Sequence, residues 1–122
     1  MNEKAGKDEL RTEIERGNFE RAALLAVSLG LPEEEIQKLR LKALWQMSAV
    51  YRNAPGTKRL AQRYGVSKEE LREFLEKHAE EQGSQGNSKP LGPCYDMSTR
   101  KYLSFEEWMD HFLKSWEKLT VS

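Results

Sequence analysis

Residues 60–74 read LAQRYGVSKEELREF, and residues 25–39 read LAVSLGLPEEEIQKL. The two stretches align without a gap at an offset of 35 residues. Each opens on Leu-Ala and places a glycine four residues after the alanine, at Gly30 and Gly65. An apolar residue follows, Leu31 or Val66, and then a residue suited to starting a helix, Pro32 or Ser67. Ten residues after the alanine stands an aliphatic side chain, Ile36 or Leu71, with Leu39 or Phe74 three further on. The spacing has a physical cause. A small alanine lets two helices cross closely, glycine permits the sharp bend, and the aliphatic residue packs back on the first helix. Two helical hairpins on a shared core are expected.

Working outward, the periodicity predicts an all-α chain. A first helix over 7–16 carries Leu10 and Ile14 one turn apart and stops at Gly17. Asn18 caps a second helix to about Leu29, ended by Gly30. Pro32 and Glu33–Glu35 suit the first turn of a long third helix reaching about Arg52. Asn53-Ala54-Pro55-Gly56 reads as a turn, and Thr57 as the cap of a short fourth helix. Ser67 with Glu70 forms a capping box for a fifth, whose buried face holds Leu71, Phe74, Leu75 and His78. Residues 83–93 are rich in Gly, Ser, Asn and Pro, the composition of a flexible linker. Tyr95 and Tyr102 flank a polar turn compatible with a small hairpin. Ser104 with Glu107 is a second capping box, opening a strongly amphipathic helix. The expected organisation is a compact orthogonal bundle of about five helices over 1–82, a linker or small hairpin over 83–103, and an amphipathic helix over 104–120.

The 122 residues suffice for one domain, and mean hydropathy is low at -0.81. No apolar run approaches the length of a membrane span, and Met1 to Lys7 lacks the apolar core of a signal peptide. The single Cys94 cannot form an internal disulfide, which fits a reducing cytoplasm. Net charge is zero, but its distribution is uneven. From Ile36 to Lys68 there is no Asp or Glu, while Lys38, Arg40, Lys42, Arg52, Lys58, Arg59, Arg63 and Lys68 all fall there. The segments before and after each sum to -4. Clustered positive charge gathers anions, and phosphate backbones are the commonest biological target. The competing explanation is that these cations pair with the acidic flanks.

Through Leu60, Ala61, Gly65, Val66, Ser67, Leu71 and Phe74, residues 57–78 resemble the helix–turn–helix family of DNA-binding domains. The resemblance covers about 20 residues. It implies that the helix starting at Ser67 enters the major groove, with Ser67, Lys68 and Arg72 toward the bases. Thr57, Lys58, Arg59 and Arg63 would then meet phosphates. Glu69, Glu73 and Glu76 depart from the family pattern, because carboxylates on the recognition helix oppose binding. In the first copy Glu33 and Glu34 would repel phosphate, so that copy reads as structural.

The functional expectation is a small non-catalytic nucleic-acid-binding protein, a DNA-binding regulator with no cofactor and no small-molecule substrate. The alternative is a protein–protein interaction adaptor built from the stacked hairpins and the aromatic last helix. That helix carries Trp108, Phe112 and Trp116, which either cover a groove in the same chain or anchor a homodimer. No catalytic residues are expected. Cys94, Asp96, His78 and His111 lack the short paired spacings of zinc sites, and Cys94 has no basic neighbour in sequence to activate it. The glycines near Gly83, Gly86 and Gly92 do not form a phosphate-cradling loop.

Overall fold

The computed structural model describes residues 3–119, with the side chains of Glu3 and Lys4 excepted. Residues 1–2 and 120–122, including the expected end of the last helix at 120, lie outside the described residues. Among the described residues the chain is all-α apart from one two-stranded ribbon, and it divides into two units, Met1–Trp45 and Gln46–Ser122. The boundary expected after Gln82 therefore falls inside the second unit.

The first unit contains α1 (Glu3–Glu15), α2 (Phe19–Ser28) and α3 (Glu33–Trp45). Its core is Leu10, Ala22, Ala23, Ala26, Ile36 and Leu39, ringed by Ile14, Phe19, Leu25, Leu29 and Leu31. The three alanines sit on one face of α2, and their small side chains let α1 and α3 pack against it closely. Gly17 ends α1 with φ of 75°, and Asn18 N donates to Glu13 O at 2.9 Å. Asn18 holds the cap position of α2 without a side-chain cap bond. Its Nδ2 donates instead to Glu13 Oε2 at 2.7 Å, so the buried Glu13 carboxylate is satisfied.

The second unit begins with a departure from expectation. Regular α-helical bonding stops at Trp45, and Gln46–Val50 form a π turn, with Tyr51 N donating to Gln46 O five residues back. The turn puts Ser48 and Ala49 inside and leaves Val50 and Tyr51 exposed. Next come α4 (Ala54–Arg63) and α5 (Lys68–Ser84). Residues 54–56, expected in a turn, are the first turn of α4. Asn53 is the cap, its Oδ1 accepting from Gly56 N at 2.9 Å, and Pro55 sits where its missing N–H costs nothing.

α5 runs two residues beyond its expected end and is followed by a 3₁₀ turn at Lys89–Leu91, so part of the expected linker is regular structure. β1 (Cys94–Asp96) pairs antiparallel with β2 (Lys101–Leu103), with Tyr95 opposite Tyr102. α6 (Phe105–Lys114) starts at the Ser104–Glu107 capping box and leads into a 3₁₀ turn at Trp116–Lys118. α6 packs against α5, β2 and the Lys89–Leu91 turn, and buries Phe105, Trp108, Met109, Phe112 and Leu113.

Candidate functional site

The sequence-predicted nucleic-acid contacts scatter between interior and surface. Thr57 is 0% exposed, and its Oγ1 donates to Asn53 O at 2.7 Å. Lys58 is 8% exposed. Its Nζ donates to the carbonyls of Trp116 and Leu119 and lies 5.5 Å from the Trp116 ring centroid. An ammonium bound to two helix-terminal carbonyls and an aromatic face completes the C-terminal turn of the chain's own last helix. Neither Thr57 nor Lys58 is placed for phosphate contact, because helix registry turns both inward. Ser67 is occupied as the cap of α5, accepting from Glu70 N. Arg72 Nη1 meets Glu76 at 3.1 Å and Asp110 of α6 at 3.2 Å. Those two carboxylates, with Glu76 hydrogen-bonded first, hold the guanidinium above its ordinary range despite some burial. Arg63 is exposed, and Arg59 and Lys68 are partly so.

Arg52 is a cation whose structural role the sequence does not announce. Its backbone is left-handed, with φ of 51°. Its guanidinium donates to four carbonyls: Ala49 at 3.1 Å, Leu103 at 3.1 Å, Pro90 at 2.9 Å and Gly92 at 2.9 Å. It also lies 5.4 Å from the Phe105 ring. Burial lowers its pKa from the ordinary value, a shift partly opposed by Cys94. No spacing rule announces such a residue. Its only sequence signal is its place just before a helix cap. In the first unit Lys38 and Arg40 approach Glu35 and Glu33 at 4.0 and 3.8 Å, and Lys42 lies over Phe19. The cations of the acid-free stretch thus go to surface pairs, to backbone carbonyls and to the exposed or half-exposed surface. They do not share one role.

The aromatic anchors are also internal. Trp108, Phe112 and Trp116 are 3%, 1% and 8% exposed and form a continuous stack with Phe105. These three side chains pack within the same chain, the first of the two expected arrangements.

The exposed side chains of α5 and α6 are mostly acidic, with Lys77 and Lys114 the exposed cations among them. Glu69, Glu73, Glu76 and Glu80 recur at helical spacing along α5 and are all exposed. Between α5 and α6 lies an open groove of about 480 Å³, lined by Glu76, Ala79, Glu80, Leu91, Ser104, Phe105, Glu106 and Met109. No Lys or Arg is among its lining residues. On the flank of α5, His78 stacks on Phe74 at 5.5 Å. Burial pushes its pKa down, against the weaker opposing pull of Glu81.

The hairpin holds one arrangement with the residue types of a hydrolase. Ser98 Oγ donates to Asp96 Oδ2 at 2.8 Å and lies 3.3 Å from His111 Nε2. Burial pushes the Asp96 carboxyl up, but hydrogen bonds from Thr99 and Ser98 outweigh it and hold the pKa below the usual range. The serine proton is directed at the carboxylate, and the carboxylate does not orient the imidazole. The order of contacts is that of a turn cap, unlike that of an activated nucleophile. Among the described residues no group of three His, Cys, Asp or Glu side chains is placed to hold a metal, and no helix is long and apolar enough to cross a membrane. No family model, curated protein or solved structure matches the chain.

Proposed function

We propose that the chain is a non-catalytic interaction module that binds a protein partner through the surface of α5 and α6. One observation carries this reading. In the second unit Arg52 and Lys58 are turned onto backbone carbonyls, and Arg72 is shared between two carboxylates. The helix that would enter a DNA groove exposes Glu69, Glu73, Glu76 and Glu80, against the exposed cation Lys77. A polyanion gains little there, since phosphate affinity depends on cations that can release counterions.

The helix–turn–helix reading keeps Arg63 as its exposed cation and Lys68 at the start of α5, and one titration separates the two. Fluorescence anisotropy of random-sequence duplex DNA at low salt is expected to show no steeply salt-dependent binding. Panning a random peptide library against the intact protein is expected to enrich a consensus. Strong DNA binding that fades with salt and weakens in Arg63→Ala/Lys68→Ala, with no peptide enriched, returns the function to nucleic acid.

A further inference from the structure

The groove between α5 and α6 has an apolar centre and an acidic rim. Ala79 and Leu91 are partly exposed, with Phe105 and Met109 beneath them, each 2% exposed. Glu76, Glu80 and Glu106 are exposed around them. Glu80 and Glu106 form no ion pair with a described residue. Glu76 has one, the solvent-exposed contact with Arg72, which water screens. Like charges one turn apart, as at Glu69 and Glu73 or Glu76 and Glu80, weaken a helix on their own account. Glu106 in the first turn of α6 favours that helix, but Glu80 has no such role, and the exposed carboxylates stand beside an apolar floor. The groove volume lies within the range of sites that seat a side chain or small ligand, about 300–1,000 Å³.

We propose that this groove docks a basic amphipathic segment of a partner protein. One apolar side chain of that segment rests on Ala79 and Leu91, and flanking Lys or Arg residues reach Glu76, Glu80 and Glu106. Charge complementarity selects the occupant, because a phosphate-bearing or acidic ligand meets three carboxylates and no cation in the lining. The proposal rests on the adaptor reading and names its partner's chemistry.

The probe is a fluorescein-labelled synthetic peptide of about 12 residues, some three helical turns, made of Lys and Leu with the leucines on one face. Its anisotropy is measured with the full chain at rising salt. The wild-type protein is expected to bind it. Glu80→Lys/Glu106→Lys, two exposed positions whose reversal leaves the core intact, is expected to weaken binding by at least about tenfold. A Lys/Ser peptide lacking the apolar face is expected to lose a similar factor, and a Glu/Leu peptide not to bind. Methyl resonances of Ala79, Leu91 and Met109 should shift on titration. Equal binding of the Lys/Ser peptide, affinity untouched by the double reversal, or shifts confined to another face each overturn the proposal. So does a dimer of the chain that shifts the same methyls without peptide. Panned consensus peptides without basic residues would sink this chemistry and leave the adaptor reading standing, whereas a library that yields nothing sinks both.

Discussion

The bend at Gly30 and the bend at Gly65 are the same object. Both glycines are left-handed, at φ of 68° and 69°. Leu31 N donates to Ala26 O at 3.1 Å in one, and Val66 N donates to Ala61 O at 2.8 Å in the other. Ala26 and Ala61 are both 0% exposed. Yet the surroundings differ in kind. In the first unit the bend serves an aliphatic core, and the cations stay at the surface beside glutamates. In the second, four stacked aromatic residues of α6 and its following turn fill the interior, and two cations go in with them. A helix–turn–helix spacing specifies how the chain turns. It does not specify what the turned helices carry, and function follows the second question.

That contrast is most easily broken at Arg52. Arg52→Met is expected to cost about 3 kcal/mol in urea unfolding, because it strands several part-buried carbonyls at once. Arg52→Lys should recover little, since a point charge cannot span four acceptors. A loss below about 1 kcal/mol would mean that water replaces the guanidinium without penalty. Lys58→Met comes next, at about 2 kcal/mol, with a change in the near-UV signal of Trp116. If Lys58→Met is as mild as a surface substitution, the inward placement of positive charge in this unit is incidental.

The two bends sharpen the comparison from the other side. Gly30→Ala and Gly65→Ala should each cost about 1 kcal/mol, and by nearly equal amounts, since a Cβ meets open space at both and only the left-handed backbone is strained. Unequal costs would show that the surroundings reach into the turn itself. Acid should act on the second unit through His78. Its folded pKa is depressed, so the unfolded chain binds more protons just below the ordinary value of 6.5. The His78 contribution is thus complete above that value and declines as pH falls through the depressed folded pKa. Unfolding at about pH 7.5 and pH 5.5 should show a slope that His78→Gln flattens. The smallest effect belongs to the first unit: Lys38→Ala and Arg40→Ala should each stay within about 0.5 kcal/mol of wild type.

Helix existence was legible because it rests on local rules. The glycine stops and the two capping boxes sit where Gly17, Gly30, Gly65, Ser67 and Ser104 announce them. What escaped was non-local. Asn53-Ala54-Pro55-Gly56 reads as a turn because those residue types also build turns, and only the cap bond from Asn53 makes it a helix start. The π turn at 46–50 leaves no trace in the spacing of apolar residues. Arg52 and Lys58 counted as surface charge because all their partners but Ala49 lie 38 to 61 residues away. The glutamates of α5 were visible as an obstacle to DNA. Their relation to Leu91 and Met109 required the fold.

The stretch from Lys89 to Leu103 owes part of its order to a tether that it does not itself contain. Pro90, Gly92 and Leu103 are held by one guanidinium, across loops of 38, 40 and 51 residues. Closing such loops costs chain entropy, and one side chain that closes three of them couples the ordering of the points it holds. Hydrogen exchange of these amides is expected to rise together in Arg52→Met, as for a single latch.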